Sequence, residues 1–378
     1  MESTPHFLPG LELSGRFFHQ AVAPILEHHF PALRYAAARL GQGSDVLGFD
    51  TPRSMDHGWG PQLGLFLDEA DFATDLPARI QHTMAHELPF EVEGFTTNFQ
   101  MHDDFSDHMV EAHTLPIAHR VRTTTARRFF SSYLAFNPLD EAISPVHWLT
   151  LPEQRLRTIR SGGVFRDDLG ELERARAALH WYPHDVWLYL LAAQWQRISQ
   201  EEAFPGRCAQ AGDELGSRVI AARLVRELMR LCLLMDRQYA PYSKWFGTGF
   251  ARLACAPALT PSLTGALAAN SWPERERHLS SAYETVAAMH NELGITEPLP
   301  SQVSPFFGRP FMVIHGDRFS NALEARIQDE EIKRMPRHAG GISQWIDSTN
   351  VLDYQHWFEP LRGAYAEVIR REPDVKIR

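Results

Sequence analysis

The stretch Gly43-Ser44-Asp45-Val46-Leu47-Gly48-Phe49-Asp50-Thr51-Pro52-Arg53-Ser54-Met55-Asp56-His57-Gly58-Trp59 decides how the N-terminal part of the chain is read. Upstream of it, residues 14–40 predict a helix. Ser14 is a candidate N-cap, and Phe17, Ala21, Ile25, Leu33 and Leu40 fall near one helical stripe. Pro24 and Pro31 must kink or divide that helix, because each removes a backbone donor. Gly41-Gln42-Gly43-Ser44 is a turn, and Val46–Phe49 is a short apolar run. Downstream, Gln62–Leu67 is the better strand candidate, and Thr74–His86 predicts a helix. Phe90 and Val92 alternate with Glu91 and Glu93 across Phe90–Phe95, the period-2 signal of a further strand.

A helix, a Gly-Ser turn and a carboxylate opening a strand together resemble the signature of the nucleotidyltransferase superfamily. The resemblance implies that Gly43 and Ser44 cradle a triphosphate and that two carboxylates spaced D-x-D hold Mg²⁺. A third carboxylate would come from a neighbouring strand. Alternate residues of a strand share a face, so D-x-D converges on one ion. Mg²⁺ favours carboxylate and phosphate oxygens, and two such ions clamp an in-line displacement. Here the pattern is broken: with Asp56 as the first carboxylate the second position is Gly58, and with Asp56 as the second the first is Ser54. Asp56 and Asp50 are the candidate metal ligands, with Glu93 or Glu91 as the third carboxylate and Glu93 as a possible base.

From Pro152 onward the pattern turns helical. Pro152–Ser161, Leu172–Leu179, His184–Ser199, Gly212–Gln238 and Ser281–Leu293 all predict helices by length and period. The passage Gly163–Leu172, followed by Trp181-Tyr182-Pro183, is similar to the strand–Asp–Gly–helix passage that leads bacterial nucleotidyltransferases into an antibiotic-transferase-like helical domain. Further resemblance lies in Trp187-Leu188-Tyr189-Leu190, Gln200-Glu201-Glu202-Ala203-Phe204, Gly212–Ser217 and Tyr239–Phe246. With the 43–59 stretch these resemble a bacterial family of uncharacterised nucleotidyltransferase-like proteins bearing a domain of unknown function, over roughly residues 15–295. Ser54, Arg223 and Lys244 are candidates for the nucleotide, and Glu202, Arg207 and Tyr242 candidates for the acceptor. Arg223, Arg226 and Arg230 also make one basic stripe by helical spacing, which either neutralises an anion or is solvated beside internal acids.

Val313-Ile314-His315-Gly316-Asp317 to Asn321 resembles the catalytic loop of aminoglycoside-type phosphotransferases. Asn321 comes one residue early, however, and the N-terminal third has no Gly-rich loop with a following Lys. The 19 His residues include His82 and His86 on one helical face, but H-E-x-x-H is absent and zinc needs three or four converging ligands.

Composition sets the frame. A chain of 378 residues suggests two or three domains, and 44% hydrophobic with 22% charged residues is globular rather than disordered. The formal charge of −10 argues against generic nucleic-acid binding. Three cysteines without a C-x-x-C pair suit a reducing compartment. Met1 to Gly10 lacks the basic and apolar regions of a leader, and the apolar stretch near Trp187–Trp195 is too short to span a bilayer. A cytoplasmic protein is expected.

The expectation is therefore an α/β nucleotidyltransferase-like domain with a small mixed sheet over residues 1–150. An all-α substrate domain would follow over 151–295, with a C-terminal extension of unassigned role over 296–378. The expected activity is Mg²⁺-dependent transfer of a nucleoside monophosphate from an NTP, ATP first, to a hydroxyl of a small-molecule acceptor. The alternative is a catalytically inactive relative that binds a nucleotide or a partner, with a phosphotransferase as a distant third. The oligomeric state is not legible.

Overall fold

The structure, a computed structural model, describes residues 6–102 and 106–371; the first five residues of the segment inspected for a leader lie outside it. The chain divides into two compact units. One comprises residues 1–142 and 155–180, the other residues 143–154 and 181–378.

The first unit is built on a mixed four-stranded sheet. Its strands are β1 (Tyr35–Arg39), β2 (Gln62–Leu67), β3 (Arg120–Thr124) and β4 (Gly163–Asp167), in the order β3-β2-β1-β4. β1 runs antiparallel to β2 and β4, and β2 runs parallel to β3. The helix expected over 14–40 ends early. It runs as α1 (Gly10–Phe17), a π-helical turn at Phe18–Val22, and α2 (Ala23–His29). Pro24 has no N–H for the preceding turn, and the π turn is where the ladder changes register. Ser14 is buried inside α1 rather than capping it.

Tyr35, Ala36, Ala37 and Ala38 then leave the helix. Each is buried, and Ala36, Ala37 and Ala38 have a paired strand on either side. One sheet face carries Leu63, Leu65 and Leu67 of β2 with Tyr35, Ala37 and Val121. It packs on Phe17, Val22 and Leu26 of the α1–α2 run and on Ile80 and Met84 of α3 (Leu76–Glu87). The alternation that buries these leucines turns Gln62, Gly64, Arg120 and Arg122 to the opposite face. There, α4 (Ala126–Leu134) covers one end, with Phe129 edge-on to Phe66 at 5.6 Å.

The expected boundary at residue 150 moves. β4 and α5 (Glu171–Ala178) return to the first unit, because β1 needs a partner on its second edge. Gly170, at φ +68°, makes the turn between them.

The second unit is helical and centres on α6 (His184–Glu201). Every residue from Val186 to Trp195 is buried, as befits a helix apolar on all sides. Its polar side chains are spent internally: Trp187 Nε1 donates to the Leu234 carbonyl at 2.8 Å, and Tyr189 Oη donates to the Pro336 carbonyl at 2.7 Å. α7 (Glu214–Met235) packs on it, and α8 (Trp272–Glu292) packs on α7 and reaches α6 through His290, which accepts from Trp195 Nε1. The segment beyond 296 is part of this unit. α9 (Gly316–Glu324) lies against α6, with Phe319 stacked on Trp195 at 4.2 Å. The approach is close enough that a Cβ on Gly316 would sit 2.8 Å from the Trp195 carbonyl oxygen. No helix among the described residues is long and apolar enough to cross a membrane.

Candidate functional site

The Gly-Ser turn is wrapped around a buried ion pair. Arg39 at the end of β1 donates from Nε to Asp45 Oδ2 at 2.7 Å and from a terminal nitrogen to Asp45 Oδ1 at 3.0 Å. The same side chain donates to the Gln42 carbonyl at 3.0 Å. Gly43 is required here twice over. Its φ is +147°, and a Cβ would lie 2.0 Å from Asp45 Oδ1. Ser44 is half-buried, its carbonyl accepting from Phe49 N at 2.9 Å.

The acidic residues of the 43–59 stretch have separate employments. Asp50 Oδ2 accepts from Gly10 N at 2.7 Å and from Trp59 Nε1 at 2.9 Å, so it fastens the start of α1 to the loop. Ser54 accepts from Thr51 N at 3.1 Å as half of a capping box on the 3₁₀ turn Pro52–Asp56. The Asp56 side chain is 60% exposed and lies 3.0 Å from Nδ1 of its neighbour His57. Glu93 sits at the left-handed tip of the short ribbon Glu91–Val92/Phe95–Thr96. Its carboxylate accepts from Gln20 at 2.7 Å and meets Arg16 at 3.2 Å, and these donors lower its pKa.

What the sheet places beside this loop is basic. In the parallel register Gln62 lies opposite Arg120 and Gly64 opposite Arg122, both pairs on the face away from α1, α2 and α3. Arg120 donates to Gln62 Oε1 at 3.1 Å and pairs with Asp107, while Arg122 stands 3.8 Å from Asp107 and is largely exposed. Gly58, the position where the D-x-D pattern breaks, donates from N to the Asp107 carbonyl at 2.9 Å. The 43–59 loop and the Arg120 strand are therefore joined through Asp107 and Gln62. Burial pulls the Arg120 guanidinium below its ordinary pKa and Asp107 opposes this; the charges of Arg122 and Arg39 lower it further. Arg120 Nε is buried with no hydrogen-bond partner.

These residues do not fit the expected magnesium site. A D-x-D ion needs carboxylates converging from one strand and its neighbour. Here the neighbouring strand offers Arg120 and Arg122, position 58 has no side chain, and Asp50 and Glu93 are held elsewhere. Among the described residues, no group of three or more His, Cys, Asp and Glu is placed to hold a metal ion. Of the basic side chains here, Arg39 and Arg120 are paired with Asp45 and Asp107, and Arg122 is the exposed one.

The candidates of the helical unit also scatter. Glu202 is buried, and its carboxylate accepts from Ile314 N (2.9 Å), His315 N (3.1 Å) and Gly316 N (3.3 Å). It thereby caps α9, and the passage resembling a phosphotransferase loop is that capped helix start, with Asn321 bonded to Arg337 at 2.7 Å. The basic stripe is divided among internal acids: Arg223 pairs with Glu201 at 2.8 Å, Arg226 with Asp347 at 2.8 Å, and buried Arg230 with Glu153 at 3.2 Å. Arg207 is exposed over the Phe204 ring, Lys244 over the Trp245 ring, and Tyr242 N donates to Gln154 at 2.9 Å.

Arg120 and Arg122 were absent from the sequence reading. The signal was present, since Arg120-Val121-Arg122-Thr123-Thr124 alternates and is β-branched, but only the register with β2 brings these arginines beside the 43–59 loop.

Residues 148–246 match a family described as a domain of unknown function, DUF4037. No curated protein matches the chain. Among solved structures, the chain is similar to a nucleotidyltransferase-like protein from Exiguobacterium sibiricum 255-15, at 11% identity over 73% of this chain and 77% of that one. The TM-score of that match is 0.31, so the functional reading rests on the site itself.

Proposed function

We propose that the chain is a nucleotidyltransferase-like protein that binds the phosphates of a nucleotide on the face bearing Arg120 and Arg122, beside the Gly43–Ser44 turn, without metal-dependent transfer. The observation that carries this is the occupant of β3. Where the superfamily resemblance calls for a third carboxylate on the strand next to β2, the same-face positions are Arg120 and Arg122. Guanidinium groups give charge-assisted, often bidentate hydrogen bonds to phosphate, and the Arg122 guanidinium is largely exposed on this face. The absence of a side chain at Gly58 supports the same reading.

Calorimetric titration with NTPs, in magnesium and in EDTA, tests it. The expected result is binding that survives EDTA and weakens about tenfold or more in Arg122→Ala, an exposed position whose loss leaves the fold intact. Pyrophosphate release that needs magnesium and disappears in Asp56→Ala would overturn the proposal in favour of the transferase.

A further inference from the structure

The second unit holds a pocket of about 260 Å³ between α6, α7 and the segment 344–347, lined by three guanidinium groups, those of Arg197, Arg223 and Arg226. Its floor is a closed hydrogen-bond network. Gln344 accepts from Gly341 N at 2.9 Å and donates to the Leu190 carbonyl and to Gln194, at 3.0 and 2.9 Å. Gln194 in turn donates to Glu227 at 2.6 Å, and Arg197 meets both Glu227 oxygens at 3.0 and 3.1 Å. Such a floor is preorganised, since the Gln194 and Gln344 amides and the Glu227 carboxylate are already paired. Trp345, 45% exposed, supplies an aromatic wall.

The three cations are neutralised unequally. Arg197 has the buried Glu227, whereas Arg226 has only a 3.8 Å contact with Glu227 and a 2.8 Å pair with Asp347. The Asp347 side chain is 79% exposed while that of Arg226 is 34% exposed. A pair with one end in water is worth little, roughly 0–1 kcal/mol. Asp347 thus holds the place of a better-shielded carboxylate. Replacing it by a monoanion keeps the three guanidiniums matched by three negative charges, counting Glu201 on Arg223 and Glu227. A phosphate dianion would overfill the site.

We propose that this pocket binds a small aromatic carboxylate, its carboxylate on Arg226 and Arg223 in place of Asp347 and its ring against Trp345. The volume lies below the ~300 Å³ at which drug-sized ligand pockets begin, which limits the ligand to a few more atoms than a ring and its acid. The site lies wholly within the second unit and is independent of the nucleotide reading above.

Benzoate is the probe, with benzylamine, acetate and inorganic phosphate as comparisons, titrated into the full chain by calorimetry. Benzoate should bind most tightly. Arg226→Gln should weaken it about tenfold or more, with Arg226→Lys between the two. Asp347→Asn, which removes the internal competitor, should tighten it about two- to fivefold. Far-ultraviolet circular dichroism checks that each variant is folded. No benzoate binding at about 10 mM to either the wild type or Asp347→Asn overturns the proposal. So does an affinity unmoved by Arg226→Gln, and so does tighter binding of phosphate or benzylamine.

Discussion

Replacing Glu202 by Gln should make the stability of the helical unit less sensitive to pH, in a direction that the structure dictates. Glu202 is 5% exposed and holds the three backbone N–H groups at the start of α9. Two effects compete there. Burial favours the neutral acid, whereas three N–H donors at a helix start favour the carboxylate. Burial wins, and the Glu202 pKa is pushed from its ordinary 4.5 to about 7. With the folded value above the unfolded one, the native state holds the proton more tightly between these limits. The resulting stability is complete below about 4.5 and is lost as the pH rises through about 7. Between about pH 5 and pH 8 this amounts to roughly 2 to 3 kcal/mol. Gln cannot ionise and fills nearly the same space, so it escapes the loss. Urea unfolding of both proteins at the two pH values, followed by tryptophan emission, measures it. The variant should gain roughly 2 to 3 kcal/mol on the wild type from the lower pH to the higher. A stability gap that stays constant, or that widens in favour of the wild type as pH rises, would show that the N–H groups outweigh burial and would refute the reasoning.

Two further outcomes follow from the first unit. Asp45→Ala leaves Arg39 charged in a buried setting and should cost about 3–5 kcal/mol in thermal or urea unfolding, with nucleotide binding lost as the Gly43 turn relaxes. Glu93→Gln should leave nucleotide affinity within about twofold of the wild type, because Glu93 is engaged with Arg16 and Gln20; a loss of tenfold or more in titration would place it back at the site.

Much of the fold was legible because its periods are local. The leucines of β2 and the apolar run of α6 read correctly from spacing. Ala36-Ala37-Ala38 misled, since alanine favours helix and nothing local marks a central strand. The unit boundary misled for the same reason: β4 belongs with β1 across more than a hundred residues of chain, a pairing that no window of sequence contains.

The sequence by itself determined the Gly-Ser turn, the break in the D-x-D pattern at Gly58 and the helical character of the second half. Each depends on residues within one turn or strand of each other. Only the tertiary structure decided what each charge meets. It put Arg120 and Arg122 on the strand beside β2, gave Asp50 to the start of α1 and Glu202 to the start of α9, and shared the arginine stripe among Glu201, Asp347 and Glu153. The role of a charged side chain depends on its partner's distance and burial, and long-range register fixes both.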